Sequence, residues 1–426
     1  MIGEFEGRTR LRSGQDRALA RYLRNHVAPF SRYHADVLRS RPVANRDELA
    51  QLPLTRLDDV AEPSDLVLRP TAAGLSTVPD RRLRLQWWWA RLRRRNGHFN
   101  RSVIEPRYKP IHWQVEGIPI ASTAEDLDRL SELGRAALEM AGVTPNDVLV
   151  SVYPPGPTLG FWQLHLGARE AGVPSLFVNP DLAPDEVARL RPTVLAGRPA
   201  DLVRLLDGGR QAGFSFAGLT TLLAIGEPLD PARRARLAEL GGGPGAPAAV
   251  VALWAPPGVR ALWSECRDGI DVHTWPTAEI VELVDPLSGQ PVPPGADGEM
   301  VWTPIGWMGS VVLRLRTGAY GCIDDTACVS CGRTSPRLRV VDPLPRFARI
   351  LDDHPGVRAW QAELRVHDDT EELIVFLAPA DPGHPGRLLR ELDRQLSVTQ
   401  FVVLDAARLD DRLQATGDAR VVDLRG

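Results

Sequence analysis

The chain has 426 residues, 43% of them hydrophobic and 25% charged. That is more than one hydrophobic core usually serves, and it excludes both a peptide-sized module and wholesale disorder. A formal net charge of -3 removes any global electrostatic case for nucleic acid, leaving only local basic patches to consider. All 51 basic residues except Lys109 are arginine, so chemistry that needs a lysine amine must use Lys109 or borrow one from another chain. The four cysteines, three of them within ten positions, suit a metal site in a reducing compartment better than a disulfide scaffold. Charges stand where a signal peptide needs an apolar core, and no run of about 18 apolar residues occurs. A cytoplasmic protein without a membrane span is expected.

In chain order, Leu19, Tyr22, Leu23 and Val27 at helical spacing predict a helical region over residues 15–38. Residues 81–101 read RRLRLQWWWARLRRRNGHFNR. From Arg81 to Lys109 the local charge is +9, with Glu105 the one acid. This segment is either a packed helix, tryptophans inward and arginines solvated, or a surface facing phosphates, an anionic membrane or an acidic partner. From Thr123 helix and strand alternate: a helix over 123–142, then strands over 148–153, 174–178, 193–197, 219–226 and 248–254 with helices between them. That spacing argues a parallel, doubly wound sheet. Beyond Val259 short strands separated by Gly and Pro turns take over, and from Asp342 two strands, a helix and two further strand-like runs suit a small α+β domain. The expected class is therefore α/β: a large N-terminal doubly wound α/β body with a β-rich subdomain, followed by a small α+β C-terminal domain. The boundaries read as 1–122 (opening helical region and Arg/Trp-rich insert), 123–258 (parallel body), 259–341 (β-rich with a zinc site) and 342–426.

The strongest chemical signal is CVSCGRT at Cys328–Thr334, two thiols separated by two residues on a turn that Gly332 lets close, as in a zinc knuckle. Cys266 and His273 are the natural second pair, with Cys322 a competing ligand. The alternative is four buried, unliganded thiols. A closed set in strand-turn units points to structural rather than catalytic zinc. A second signal is PPGPTLG after the strand ending at Tyr153, opening a helix at Phe161. Backbone N–H groups and apolar rings there suit a small-molecule pocket wall, with an ordinary connection as the alternative. His34, His112, His165 and His367 lack partners at metal or triad spacing and read as structural.

Several stretches resemble the acyl-adenylate-forming ligases, in particular phenylacetate-CoA ligase and its relatives: APF at 28–30, LPLT, AGVTPNDVLVSVY, IGEPLDPARRARL, ELVDPLSGQPVPPGADGEMVWTP, LRLRTG and CGRTSPRL. Some members of that family carry a Cys/His/Cys/Cys zinc site, which these cysteines match. The resemblance implies joining a carboxylate to ATP with magnesium and passing the acyl group to coenzyme A. It implies that Gly226, Glu227, Pro228 and Leu229 lie against a nucleotide base, and that Arg316 and Thr317 begin the Arg-Thr-Gly-Asp motif whose Asp holds the ribose. Four parts depart from the pattern. The interval ahead of the helix at 123 has no Ser/Thr/Gly-rich phosphate loop. WAPPGVRALWSE replaces the Tyr-Gly-x-x-Glu stretch, Ala319 replaces the ribose Asp, and Asp418 stands where the C-terminal lysine is expected. The leading expectation is a protein that keeps the architecture and zinc, has lost adenylation, and binds an acyl, aryl or nucleotide-like ligand or a protein partner. The alternatives are an active carboxylate-CoA ligase with substituted groups, and an interaction protein docking through the Arg/Trp segment. If that segment fills a vacated nucleotide cleft, at least two of Trp87, Trp88 and Trp89 are buried and the arginines of 91–95 lie near acids.

Overall fold

The computed structural model describes residues 7–423 apart from 180–183, 215, 217, 227, 243–245, 287, 342–346, 348, 349, 353, 368, 369, 397 and 416–420. They fall into two units, one of Met1–Leu283, Pro293–Thr317 and Gly321–Val340, the other of Val284–Val292, Gly318–Tyr320 and Val341–Gly426.

The first unit opens with helix Arg8–Tyr22, which runs through a π-helical turn, Leu23–Val27, into Ala28–Phe30. Leu19, Leu23, Val27 and Phe30 from these turns share a core with Leu83, Trp87 and Phe99 and with Met308, Val311 and Leu313. Strands β1 (His112–Glu116) and β2 (Ile118–Ser122) pair antiparallel from His112↔Ser122 to Glu116↔Ile118. Their turn is thus one residue, Gly117, whose φ of 79° lies in the left-handed region that glycine adopts at no steric cost. Helix Ala124–Met140 follows, started by a capping box between Thr123 and Asp126.

The large sheet is built from β3 (Leu149–Ser151), β4 (Ser175–Phe177), β5 (Val194–Gly197), β6 (Thr221–Ile225), β7 (Ala249–Trp254), β8 (Trp263–Ser264), β9 (Val272–His273), β10 (Glu279–Val284), β11 (Gly298–Pro304), β12 (Leu315–Asp324) and β13 (Arg337–Val340). Its order is β10-β11-β12-β13-β9-β8-β7-β6-β5-β3-β4. The pairs among β3 to β7 are parallel, and β7–β8, β8–β9, β9–β13 and β12–β13 are antiparallel. β5 and β6 are buried along their whole length, which is why they read as continuous apolar runs rather than as alternation. Helices Leu159–Ala171, Pro184–Arg189, Pro199–Gln211 and Pro231–Gly241 connect the strands, and Leu202, Leu205, Leu206 and Leu237 pack on Val150, Leu195, Leu222 and Val250. Helix Leu159–Ala171 crosses Ala124–Met140 at Gly167 and Gly134, where a Cβ on Gly134 would stand 2.5 Å from the Gln163 carbonyl oxygen. This is the doubly wound α/β body with an antiparallel, β-rich extension.

The second unit holds β14 (Val357–His367), β15 (Thr370–Pro379), β16 (Gln400–Val403) and β17 (Val421–Asp423) in the order β16-β15-β14-β17. Helix Pro385–Gln395 supplies Leu388 and Leu392 to a core with Trp360, Val375 and Leu377. A further helix, Ala406–Ala415, lies between two runs that read as strands and escaped the sequence reading. Its signals are the cap at Asp405, which accepts from the Arg408 N–H at 2.9 Å, and the i, i+4 pair Leu409 and Leu413, both in the core beside β15.

In the first unit one carboxylate ties distant segments together. Asp126, fully buried, accepts from the N–H groups of Met308 and Gly309 at 2.7 Å each and from Thr123 N–H at 3.0 Å. Arg260, 3% exposed, stands 3.4 Å from it, lies over the Trp307 ring, and donates to the carbonyls of Ser310 and Ala121 and to Ser122 Oγ. Asp126→Asn keeps the volume but leaves the guanidinium buried without its counter-charge. A loss of about 3–5 kcal/mol is expected in chemical denaturation followed by tryptophan fluorescence.

His34 is a second buried polar group of this unit, its Nε2 3.2 Å from the Val311 carbonyl oxygen and 3.3 Å from Leu313 N. Burial lowers its pKa to about 4, only partly opposed by the Val311 carbonyl. The unfolded chain takes up this proton near its ordinary value while the folded chain resists, so stability falls as pH drops from about 6.5 to about 4. The span corresponds to roughly 3 kcal/mol from this residue. Melting temperatures across that window should fall less steeply in His34→Gln than in the parent.

Candidate functional site

The antiparallel extension brings four metal-ligating side chains to one point. Ladder pairing sets β9 beside both β8 and β13 through Ser264↔His273 and Arg337↔His273. Cys266 follows β8, and the turn carrying Cys328 and Cys331 leads into β13. The turn is closed by Gly332 N–H donating to the Cys328 carbonyl and Cys328 N–H donating to the Arg333 carbonyl, both at 2.8 Å, with Gly332 at φ 72°. Ser330 Oγ donates to the Asp268 carbonyl, tying this turn to the one after Cys266.

The ligand atoms of Cys266, His273, Cys328 and Cys331 all lie within 4.8 Å of one another. Cys266 Sγ is 3.9 Å from Cys328 Sγ, and Cys331 Sγ is 3.6 Å from His273 Nε2. A tetrahedron with metal–sulfur bonds of about 2.3 Å places its sulfurs about 3.8 Å apart, so the cluster has the size of a four-coordinate metal site. His273 Nδ1 is 3.0 Å from Ser335 Oγ, which leaves Nε2 for the metal. Burial, then Arg333 and Arg337, lower His273 to about 4, keeping the imidazole neutral as a ligand must be. Burial and the two neighbouring sulfurs push Cys266 up to about 12. At Cys328 burial raises the thiol, but the N–H groups of Cys331 and Ser330 and the adjacent thiols outweigh it and bring it to about 7. Cys322 pairs with Arg339 in the β12–β13 ladder and is not one of the four.

The second constellation lies at the carboxyl ends of the parallel strands. Tyr153, beyond β3, is buried, and Gly226, beyond β6, turns at φ 106° with its N–H on the Leu253 carbonyl. A Cβ on Gly226 would meet the Tyr153 hydroxyl at 3.5 Å, and one on Gly160 would meet it at 2.9 Å, so these residues form one edge. Arg198, not singled out in the sequence, stacks its guanidinium 5.8 Å from the Tyr153 ring centre. Phe161 packs with Trp162, His165 and Phe177, while His112 meets Trp162 edge-on at 4.4 Å. Pro228 is exposed beyond β6, and Glu227 lies outside the described residues. Arg316 pairs with Glu299 at 2.5 Å and Thr317 Oγ1 donates to the Met300 carbonyl, so β11 anchors both. His112 Nε2, Gln114 Nε2 and Thr158 Oγ1 are buried without a hydrogen-bond partner. Buried polar atoms of this kind call for a ligand or water. Their signal in sequence is faint: a His and a Gln on one short strand, and a Thr at a helix start.

The Arg/Trp segment corrects an expectation. Helix Arg81–Leu92 buries Trp87 but leaves Trp88 and Trp89 each 55% exposed. The arginines at 91, 93, 94 and 95 are exposed and have no carboxylate partner among the described residues. The plug with two buried tryptophans and paired arginines is therefore not formed. Lys109, nearby in sequence, is 3.5 Å from Glu105.

No family model matches the chain. It is 29% identical over 224 residues to a phenylacetate-coenzyme A ligase of Thermus thermophilus, covering 51% of this chain and 50% of that protein. With a phenylacetate-coenzyme A ligase of Aromatoleum evansii the identity is 24% over 203 residues, 46% of each chain. The chain thus matches about half the length of these curated relatives. Among solved structures, 2-hydroxyisobutyryl-CoA ligase in complex with 2-HIB-AMP and CoA superposes with a TM-score of 0.64 at 16% identity, covering 99% of this chain and 91% of that one. The open conformation of that ligase gives 0.63 over 94% of this chain and 89% of its own. The chain is phenylacetate-CoA ligase-like.

Set beside the ligase parts that the resemblance implies, the interval ahead of helix Ala124–Met140 is taken up by the β1–β2 hairpin, whose single-residue turn leaves no loop. In WAPPGVRALWSE, the segment after β7, Arg260 is spent on Asp126. Glu265 pairs with Arg234 at 2.5 Å and accepts from Ala252 N–H at 2.7 Å, and burial outweighs both in raising its pKa. Asp418 lies outside the described residues.

Proposed function

We propose that this chain is a phenylacetate-CoA ligase-like protein of the cytoplasm that keeps the AMP-forming ligase architecture and a structural zinc, has lost ATP-dependent adenylation, and binds a small acyl, aryl or nucleotide-like ligand. The observation that carries this is the one-residue hairpin. Cradling a triphosphate takes a run of free backbone N–H groups, whereas here the inward-facing ones of β1 and β2 close their ladder, Val115 N–H donates to the Pro157 carbonyl and Ala121 N–H donates to Ser310 Oγ. Glu265, the carboxylate of the segment after β7, is already engaged by Arg234 and leaves nothing there for magnesium. The ligand would lie at the strand ends by Tyr153 and Gly226; His112 and Gln114 on β1, and Thr158 at the start of helix Leu159–Ala171, hold polar atoms in want of partners. The runner-up is an active carboxylate-CoA ligase, favoured by the match along nearly the whole chain to a ligase holding 2-HIB-AMP and CoA.

Zinc would be held by Cys266, His273, Cys328 and Cys331, closing the coordination sphere and stapling the β8–β9 and β12–β13 segments. Elemental analysis should find about one zinc per chain. Cys328→Ser should lose the metal and several kcal/mol of stability, about what a structural site supplies, whereas Cys322→Ser keeps the metal. Full metal in Cys328→Ser removes the assignment.

Without phosphate loop, magnesium carboxylate, ribose Asp and lysine, four contacts at roughly 1.5–3 kcal/mol each are missing, which together exceed the about 4 kcal/mol between micromolar and millimolar binding of ATP. Titration calorimetry with ATP and magnesium should show no micromolar affinity, and ATP–pyrophosphate exchange with a panel of carboxylates should show no turnover. Exchange above background with any carboxylate establishes the runner-up instead.

A further inference from the structure

Helix Arg81–Leu92 has two apolar faces, and only one is used by the fold. Leu83, Trp87 and the half-buried Ala90 turn inward to the core of the opening helices. On the other side Leu85 (57% exposed), Trp88, Trp89 and Leu92 (73% exposed) follow the i, i+3, i+4, i+7 spacing and fall within an arc of about 100°. Arg84 and Arg91 flank this stripe on one side and Arg82 on the other, with Arg93, Arg94 and Arg95 just beyond its C-terminal end. Arg93 stacks over the Trp89 ring at 5.2 Å. No acid occurs from Arg81 to Ile104. None of these arginines has a carboxylate partner among the described residues.

We infer that this helix is a peripheral docking element for an anionic lipid bilayer, lying in the headgroup region with Leu85, Trp88, Trp89 and Leu92 entering the acyl boundary. Charge complementarity selects the surface: the arginines are unneutralised by the protein, and lipid phosphates and carboxylates supply the opposite sign. The stripe selects bilayer over nucleic acid, because leucines at helical spacing have no use against phosphates, whereas indoles and leucines above a belt of guanidinium groups suit the water–lipid interface. The stripe also selects bilayer over an acidic polypeptide, whose carboxylates would pair with the arginines but leave Leu85, Trp88, Trp89 and Leu92 in water. No helix among the described residues is long and apolar enough to cross a membrane, so the element lies on the surface.

The test uses the full chain with vesicles of phosphatidylcholine alone and with about 30% phosphatidylglycerol or phosphatidylserine. Co-sedimentation should require the anionic lipid and weaken as salt rises, and tryptophan emission should shift blue and be quenched by lipids brominated near the headgroup. Trp88→Gln with Trp89→Gln, and separately Arg91→Glu with Arg93→Glu, should each lower partitioning by about tenfold or more, with unchanged circular dichroism because these side chains are exposed. The inference is overturned if anionic vesicles are not bound, or if binding is indifferent to both pairs of substitutions. It is equally overturned if single-stranded RNA or polyglutamate binds while vesicles do not, which would assign the helix to a nucleic acid or an acidic protein.

Discussion

The first unit depends on the Asp126 carboxylate. It caps a helix, collects two N–H groups from the Met308–Gly309 bend, and neutralises a guanidinium that holds the carbonyls of Ala121 and Ser310. Three stretches distant in the chain, at 121–126, 260 and 308–310, are thereby fixed at one point, all of it away from water. Such a site is worth little as a net ion pair, because desolvation consumes most of the attraction. Its value is in register. The end of β2, the start of the helix and the strand-linking bend cannot slide past one another without stranding a charge.

That arrangement bears on chemistry through Arg260. In an adenylating enzyme the segment after this central strand has to offer a carboxylate to a cation. Here the segment's carboxylate, Glu265, is held by Arg234, and its Arg260 is satisfied internally and stacked on Trp307. In the hairpin ahead of the helix, N–H groups of β1 and β2 are taken up by the ladder, by the Pro157 carbonyl and by Ser310 Oγ. The contrast with the Cys/His cluster is informative, since there the Gly332 turn and the Ser335 hydroxyl behind His273 leave the side-chain sulfur and nitrogen atoms facing one another.

Much of the architecture was legible because fully buried parallel strands are apolar runs and their connecting helices have a different period; β5, β6 and β7 sit where such runs occur. The α/β class followed from the alternation alone. The helix Ala406–Ala415 was hidden by its short apolar face, which shows one fully buried position, Leu409. Spacing gave the pairs Cys328/Cys331 and Cys266/His273, but only ladder register distinguishes His273 from the competing Cys322, because facing across strands is not written in local sequence. The tryptophans were misread for a related reason. Periodicity identifies apolar faces without saying which is covered, and in a helix with Leu83 and Trp87 on one side and Leu85, Trp88 and Trp89 on the other, the run WWW feeds both. Asp126 and Arg260, 134 positions apart, gave no sign of each other.

The basic face of that helix has a permanence that a lysine-rich one would lack. Guanidinium groups hold their proton beyond any pH a cell meets, and acetylation, the usual enzymatic way to erase a positive surface, needs an amine. Lys109 is the one side chain in the chain that offers it, and it lies outside the helix. Any control over what the helix touches must therefore come from the composition of the opposing surface or from shielding by salt and competitors, not from titration or acylation of the protein itself.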